Sequence, residues 1–404
     1  MAVDLVVMAL GNAPNPIIKD SEPNLRTTRW GTVELSRGSQ QTSVAGVYSG
    51  GDASRGGSTA INAAGDGQAA AREIVGDMDL SADDIRARVA SAGRYSRLGA
   101  APKTLLGKKV LADGIVEFIV HAPLIAKAAR AGQFVRVLPW ATGELIPLTL
   151  ADWDAKEGTI CLVVQGLGSS SLAVNRMRAG DAFAGIAGPL GRPSVVHPYP
   201  DAHSSPAAGG RTVVFTAGGV GLPPVYPIMR EHLRAGNHVT LIAGFRSADM
   251  LFWQREDERI GLLQASYPAL LEVIYTSNDG SFGVKGFVTG PLEELLEKGR
   301  RGQGRDIAEV VTIGPPQMMR AVCDLTRPYG VRTIASLNAI MVDATGMCGA
   351  CMVPVNIDGA LVRKHACIDG PEIDGHLIDW DKFLPRFNQF KAQEQASKQR
   401  HGFA

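Results

Sequence analysis

The 404-residue chain lacks several features that would place a protein in a class at once. It has no excess of one charge, since 41 Lys and Arg balance 40 Asp and Glu, and bulk attraction to nucleic acid or membrane surfaces is not expected. No apolar run reaches the about 18 residues of a membrane-spanning helix, and the start has neither a basic segment nor a signal-cleavage site. We therefore predict a cytoplasmic protein without a nucleic-acid or membrane partner.

Cysteine is also scarce, with five residues that do not form a secreted disulfide framework. Three of them, Cys348, Cys351 and Cys367, lie near the C-terminus, and Asp343 precedes them to give the spacing D-x4-C-x2-C-x15-C. A compact glycine-bearing loop followed by one distant Cys is typical of plant-type [2Fe–2S] sites, whose pattern is C-x4-C-x2-C…C. The spacing predicts such a cluster, with Asp343 in the first cysteine position.

Two alternatives remain open for this cysteine group. Three Cys with Asp343 or His365 would also suit zinc, which takes thiolate, imidazole and carboxylate ligands. Asp343 would otherwise be a loop residue, with Cys323 or Cys161 as the fourth ligand. Zinc sites more often use two C-x2-C pairs, and Cys323 and Cys161 fall in predicted core elements, where free Cys behaves as a small apolar residue. We therefore favour iron–sulfur chemistry with Asp343 as a ligand.

Periodicity predicts an α/β plus all-β architecture. Short strands between Gly and Pro over 103–208 indicate a small antiparallel barrel. Strand–helix–strand alternation over 209–335 predicts a parallel sheet with flanking helices. The cluster segment follows at 336–385, and a polar helical tail at 386–404.

The N-terminal part of the chain is predicted to form a separate unit. Residues 1–76 are predicted to hold strands at 4–10 and 46–52 and an Ala-rich helix at 59–74. Residues 77–102 are predicted to be a linker.

Two glycine turns follow strands of the predicted parallel sheet. Gly218-Gly-Val-Gly221 separates an apolar strand from a helix, and Gly314-Pro-Pro-Gln-Met-Met319 follows a later strand. Glycine lets the backbone approach phosphates, and a helix N-terminus offers free N–H groups to an anion. Taken alone, each turn is equally compatible with an ordinary helix start.

The order of barrel, nucleotide-type unit and cluster loop makes the chain recognisable. Residues of about 103–385 resemble the ferredoxin–NADP reductase superfamily, in the branch of the dihydroorotate dehydrogenase electron-transfer subunit. They are most similar to the small subunit of NADH-dependent ferredoxin:NADP oxidoreductase, also called sulfide dehydrogenase. In that family an aspartate joins three cysteines on the cluster, which Asp343-Ala-Thr-Gly-Met-Cys348-Gly-Ala-Cys351 resembles. The segment 366–376 is similar to the family's final ligand segment.

The resemblance implies three cofactors: FAD, a [2Fe–2S] cluster, and NAD(H) or NADP(H). Thr149 is implied to lie beside the reactive flavin N5 as a catalytic residue, while Ile146 stands where many members carry a phosphate-binding Arg. The residues implied to contact FAD are Pro147, Leu148, Thr149, Gly168, Ser169, Ser170, Gly188 and Gly191. Those implied to contact NAD(P) are Gly218, Gly219, Gly221 and Gly314.

Residues 1–76 resemble a second family, the C-terminal end of the glutamate synthase small subunit. Ala9-Leu-Gly11 and Pro14-Asn-Pro16 are similar to its glycine turn, and Gly50-Gly-Asp52 to a second FAD contact, in which Asp52 accepts a hydrogen bond from a ribityl hydroxyl. The family's N-terminal dinucleotide-binding half is missing, so this piece alone is not expected to complete a FAD site. We expect this chain to be the distal end of a polypeptide in which the large and small subunits are fused. The alternative is that residues 1–76 are a docking remnant.

The expected function is electron transfer between NAD(P)H, FAD and the cluster, to or from a glutamate-synthase-like flavoprotein. Ferredoxin is a further candidate partner. One alternative is electron transfer to a dihydroorotate dehydrogenase subunit, for which a Cys would be expected at Asp343. The other is a non-catalytic, zinc-bound assembly module.

Overall fold

The computed structural model describes residues 22–56, 60–77, 101–141, 143–199 and 211–400. The chain divides into two compact units, Met1–Tyr95 and Ser96–Ala404, and each is described by itself. Among the described residues, no helix combines the length and apolar character needed to cross a membrane.

The N-terminal unit is built around two helices, α1 (Asp52–Arg55) and α2 (Ala60–Asp77). The predicted helix at 59–74 is confirmed and extends three residues further. The predicted strand at 46–52 is wrong, because only Tyr48 forms an isolated bridge there, to Gln41. Gly46 has a φ of +77° and Val47 is 40% exposed, so this stretch buries no apolar face. The strand predicted at 4–10 lies outside the described residues.

Six antiparallel strands and two short helices form the next domain. They are β1 (Leu105–Ala112), β2 (Ile115–His121), α3 (Pro123–Ala128), β3 (Phe134–Leu138), β4 (Ile146–Asp154), β5 (Thr159–Gln165), α4 (Ser169–Arg176) and β6 (Gly185–Leu190). The strand order is β1-β2-β5-β4-β3-β6, and Thr104 before β1 bridges Ala182 before β6. The bridge closes the sheet on itself, as expected for a barrel.

A mostly parallel sheet with flanking helices follows. Its elements are β7 (Arg211–Gly218), α5 (Leu222–Arg234), β8 (His238–Phe245), α6 (Arg259–Ser266), β9 (Leu271–Ser277), β10 (Val284–Lys285), α7 (Thr289–Arg300), β11 (Asp306–Ile313), α8 (Pro316–Thr326) and β12 (Arg332–Ser336). The order β10-β9-β8-β7-β11-β12 is parallel throughout. Seven of the eight residues of β7 are buried, as expected for a strand covered on both faces.

The C-terminal segment is attached to this sheet. It contains β13 (Met352–Ile357), β14 (Ala360–His365), β15 (Glu372–Asp374), α9 (Trp380–Phe383), a 3-10 helix (Leu384–Asn388) and α10 (Lys391–Arg400). β13 and β14 form a hairpin, and β15 pairs antiparallel with β12. Cys351, Cys367, Trp380 and Phe383 share one apolar core, which also includes Phe134 of the barrel.

Buried charges connect the barrel to the parallel sheet. Arg259 of α6 donates to Asp152 of β4 over 2.5 Å and to Glu117 of β2 over 3.2 Å. Arg230 of α5 donates to Asp152 over 2.7 Å. All four side chains are 21% exposed or less. We call Glu117, Asp152, Arg230 and Arg259 the interdomain ion network.

Candidate functional site

The predicted cluster ligands converge at one end of the apolar core around Trp380. The Sγ atoms of Cys351 and Cys367 lie 3.2 Å apart and are buried, whereas Cys348 is exposed. Gly346 has a φ of +87°, and a Cβ there would lie 2.6 Å from Ile368 Cδ1. Glycine is therefore required where the loop turns against the segment that follows Cys367.

Asp343 is anchored within the same loop. Its two carboxylate oxygens accept hydrogen bonds from the backbone N–H of Thr345 (2.9 Å) and of Cys348 (2.8 Å). Burial opposes its ionisation, but these N–H groups prevail and hold the pKa of Asp343 below its usual value. Its negative charge also reaches Cys367, whose pKa is raised mainly by burial and by the Cys351 thiol. Asp343 is thus an ionised group close to Cys348 and to the pair of Cys351 and Cys367.

The alternative ligands lie in other environments. The Cys161 thiol is on β5 and accepts a hydrogen bond from Arg259 over 3.3 Å. Cys323 is fully buried in α8, where burial raises the pKa of its thiol to about 12. Within the ranges that the structure describes, no three His, Cys, Asp or Glu side chains are arranged to hold one metal ion. Asp343 lies beside Cys348, and Cys351 beside Cys367, and two ligand pairs of this kind suit a cluster of two irons.

Two of the predicted flavin segments lie on either side of β3. Pro147, Leu148 and Thr149 pair with one edge of the strand, and β6, which contains Gly188, pairs with the other edge. A Cβ on Gly188 would lie 2.7 Å from Val135 Cγ1, and one on Gly191 would lie 2.9 Å from the Phe134 ring. These glycines therefore permit a close backbone approach to β3. Ile146 pairs with Val137 and supplies no cation.

The third flavin segment begins helix α4. Gly168 precedes its first residue, and Ser171 Oγ accepts from the Gly168 N–H over 3.0 Å. Ser170 Oγ donates to Glu144, two residues before β4, and Ser169 Oγ lies 2.8 Å from Ser397 Oγ of α10. The contact with Glu144 brings this segment towards the start of β4, so the structure gathers the three predicted flavin segments around β3 and β4.

The two predicted nucleotide turns touch each other. They follow adjacent strands: β7 ends at Gly218, and Gly314 comes directly after β11. From β7 the chain proceeds to β8, β9 and β10 on one side of the sheet, whereas β11 and β12 lie on the other side of β7. The turns after β7 and β11 therefore lie at a topological switch point, where open α/β sheets bind ligands. A Cβ on Gly314 would lie 3.0 Å from the Gly218 nitrogen, and one on Gly221 would overlap the Ile313 carbonyl. Gly219 faces open space.

Asp52 belongs to the N-terminal unit, where it opens the four-residue helix α1. Its proposed flavin contact stays a prediction.

Several residues near the site were not predicted from the sequence. Arg136, Arg192 and Arg386 each donate to a backbone carbonyl at or next to a predicted ligand. Only Arg136 carried a sequence signal, as a charge within the apolar strand Phe134–Leu138.

Comparison with known proteins agrees with this geometry. Residues 215–324 match the oxidoreductase NAD-binding domain, and residues 338–379 match the iron–sulfur cluster binding domain of dihydroorotate dehydrogenase B. A Thermotoga maritima homolog of the dihydroorotate dehydrogenase B electron transfer subunit is 36% identical over 302 residues, which cover 75% of this chain and 96% of the relative. The electron transfer subunit of that enzyme from Geobacillus thermodenitrificans is 27% identical, over 68% of this chain and 96% of the relative.

A solved structure supports the same assignment. A chain from the NADH-dependent reduced ferredoxin–NADP oxidoreductase structure, described in connection with flavin-based electron bifurcation, superimposes with a TM-score of 0.64. It is 35% identical, and the match covers 75% of this chain and 99% of that one. The chain therefore belongs to the family of dihydroorotate dehydrogenase B electron-transfer subunits and their ferredoxin–NADP oxidoreductase homologues.

Proposed function

We propose that this chain transfers electrons from NADH through FAD to a [2Fe–2S] cluster, and from there to a partner flavoprotein. One observation carries the proposal: β3 pairs with both flanking flavin segments, and its Arg136 donates to the carbonyl of Asp343. β3 thus contacts both the predicted flavin segments and the predicted cluster loop. Short separation between the two redox groups is what electron transfer through a single chain requires.

The nucleotide is bound where the two glycine turns meet. Close packing of Gly218, Gly221 and Gly314 brings the two turns together, and Gly219 faces open space, where its backbone would approach the diphosphate. Arg246 follows β8 and is exposed, and it is the cation available to a 2′-phosphate. We favour NADH, because the dihydroorotate dehydrogenase B relatives are named for NAD(+).

FAD is held in the barrel by Pro147, Leu148 and Thr149, by Gly168, Ser169 and Ser170 at the start of α4, and by Gly188 and Gly191. When bound, it accepts two electrons as a hydride and releases them singly. Thr149 pairs with Phe134, which fixes its backbone position, and its side chain would lie near the flavin N5, as the family resemblance implies.

Asp343, Cys348, Cys351 and Cys367 would hold the cluster. Metal binding requires thiolates, and the raised pKa of Cys367 means that its proton is released when iron binds. The exposed Cys348 marks the side on which electrons leave.

The partner we propose is a glutamate-synthase-like flavoprotein subunit, with ferredoxin as a further electron carrier. The resemblance of residues 1–76 to that family and the aspartate at position 343 both support it. A dihydroorotate dehydrogenase subunit is the second candidate, favoured by the names of the relatives. Reconstitution with each purified partner separates the two, because only the physiological partner restores NADH-dependent turnover.

Two measurements test this function. The purified protein should show flavin and iron–sulfur absorption bands, and reduction by NADH should produce an EPR signal from the cluster. A protein that carries zinc and no flavin would contradict the proposal and support an assembly module.

Asp343→Cys tests the ligand assignment. Replacing a carboxylate by a more electron-donating thiolate should lower the reduction potential of the cluster and change its EPR g values. Thr345→Ala, which keeps the backbone N–H that Asp343 accepts, is the matched control and should leave both unchanged. An Asp343→Cys protein with the wild-type potential and spectrum would show that Asp343 does not bind iron.

A further inference from the structure

Arg136 reaches from the flavin barrel to the cluster loop. It lies on β3, is partly buried, and donates through its two terminal nitrogens to the carbonyls of Val342 and Asp343. Its Nε is buried and has no hydrogen-bond partner among the described residues. The planar guanidinium thus spans two consecutive carbonyls, which the single ammonium of a lysine matches poorly.

Two further arginines make the same kind of contact on the other ligand-bearing segments. Arg386, in the 3-10 helix after α9, donates to the carbonyl of Ala350 over 3.0 Å, one residue before Cys351. Arg192, which follows β6, donates through Nε to the carbonyl of Ile368 over 2.9 Å, one residue after Cys367. Its backbone N–H also donates to the carbonyl of Gly370 over 2.7 Å.

The charge of these three arginines is not neutralised by ion pairs. In the part of the chain that the structure describes, no Asp or Glu lies within ion-pair distance of any of them. Lys364, a neighbouring cation, does lie 3.7 Å from Asp369. The guanidinium of Arg136 donates to the carbonyl of Asp343 and therefore brings its positive charge to the backbone of a predicted ligand.

We propose that Arg136, Arg192 and Arg386 are positioning residues for the cluster that hold its ligand-bearing backbone and raise its reduction potential. Adding an electron makes a cluster more negative, so nearby positive charge favours the reduced form. Charge and hydrogen bonding around iron–sulfur clusters are known determinants of potential. Two of the three arginines come from the flavin barrel, so the same contacts fix the cluster relative to the flavin. The inference rests on the proposed function, since it requires a cluster at this loop.

The test is a redox titration of the full chain, followed by EPR. Arg136→Gln, Arg192→Gln and Arg386→Gln should each shift the midpoint potential of the cluster to more negative values, and the double variant of Arg136 and Arg386 should shift it further. Arg136→Gln should give the largest single shift, because Arg136 is partly buried and contacts a ligand residue itself. Arg136→Lys keeps the positive charge but not the two terminal nitrogens that donate to consecutive carbonyls. The midpoint potential of this variant should therefore stay close to the wild-type value, while its cluster loses iron to a chelator faster.

Arg363→Gln is the matched control. Arg363 is an exposed residue of β14 in the same subdomain, and the described part of the chain offers its side chain no hydrogen bond or ion pair. Its replacement should leave the potential unchanged. Equal potentials in the wild type and all three Gln variants, or an equal shift in Arg363→Gln, would overturn the inference.

A second readout does not need the loaded cluster. In the iron-free protein, Arg136→Gln should accelerate hydrogen exchange at the Cys348 amide, whose acceptor, Asp343, loses its external anchor. Unchanged exchange would argue against a positioning role. Wild-type protein without any [2Fe–2S] signal would instead refute the proposed function, so the two failures are distinguishable.

Discussion

His232 of α5 is the residue at which pH should act most directly on stability. It is 1% exposed, and its Nδ1 accepts a hydrogen bond from Asn237 Nδ2 over 3.0 Å. Burial, with a smaller contribution from His197, lowers the pKa of His232 to about 4. The unfolded chain binds a proton at this ring below pH about 6.5, whereas the folded chain does not until about pH 4. The stabilisation present at neutral pH is therefore lost as the pH falls through this window.

His232→Gln should remove that pH dependence, because Gln accepts the Asn237 hydrogen bond at every pH. Between pH 7 and pH 4.5 the free energy of unfolding of the wild type should fall by about 2 to 3 kcal/mol more than that of the variant. Urea titrations of both proteins at the two pH values measure the difference. Parallel losses in the two proteins would mean that His232 is not the responsible group.

The residue scale also shows what sequence reasoning reached and what it missed. The ligand pattern of Asp343, Cys348 and Cys351 could be recognised from the sequence because these predicted ligands lie on one short loop. The contact of Arg136 with Asp343 joins residues 207 positions apart, and no local pattern encodes such a pairing. It depends on the tertiary fold, in which β15 attaches the cluster segment to β12 of the parallel sheet.

At the scale of the elements, the pair of glycine turns after β7 and β11 is sensitive to added volume. A Cβ on Gly314 would lie 2.7 Å from Met318 Cε and 3.0 Å from the Gly218 nitrogen. Gly314→Ala should therefore push the turns apart and weaken NADH binding by roughly tenfold, which corresponds to about 1.4 kcal/mol. Flavin and iron contents should stay at the wild-type level, and isothermal titration with NAD⁺ measures the change in affinity.

Gly290→Ala is the matched control for this prediction. Gly290 lies in the first turn of α7, and a Cβ there would meet nothing within 4 Å. Its replacement should leave NAD⁺ affinity unchanged and stabilise the helix slightly. If Gly314→Ala binds NAD⁺ with wild-type affinity, the turns accommodate the added methyl group by another movement. Nucleotide binding then does not depend on the close contact between Gly314 and Gly218.

Elements were predictable from the sequence where burial imposed a pattern. The strands of the parallel sheet are covered on both faces, so each is a continuous apolar run such as Val213-Val-Phe215. The segment 46–52 has strand-forming residues but no face to bury, and its glycines favour turns, so the predicted strand does not form. The flavin segments were located by resemblance, because the Pro147–Thr149 stretch has no chemistry of its own until β3 lies beside it.

At the scale of the whole C-terminal unit, the interdomain ion network connects β4, the proposed flavin strand, with α5, the helix after the proposed nucleotide turn. Asp152 lies on β4, three residues after Thr149, and Arg230 lies on α5, which begins directly after the turn at Gly221. The guanidinium of Arg259 also lies 5.1 Å from the Trp253 ring centre. Both arginines are thus held from several sides, and the network fixes β4 relative to α5.

Asp152→Asn should slow hydride transfer while leaving both cofactors bound. The side chain keeps the Oδ1 that accepts the Trp153 N–H, but it no longer neutralises Arg230 and Arg259. Misplacing reacting groups by about 1 Å costs up to about 100-fold in rate, so we expect a 10- to 100-fold lower limiting rate of flavin reduction at saturating NADH. Stopped-flow absorbance measures that rate, and its concentration dependence gives the NADH affinity, which should change little.

Stability must be separated from positioning in this experiment, because breaking a buried ion pair costs about 3–5 kcal/mol by itself. Arg234→Gln is the matched control: it removes the exposed 2.6 Å ion pair with Glu231 on the same helix, which does not involve the barrel. Its limiting rate should equal that of the wild type. If Asp152→Asn lowers the melting temperature but leaves the limiting rate unchanged, the network only stabilises the fold. A slower limiting rate with unchanged affinity would instead mean that these buried charges set the approach of nicotinamide to flavin.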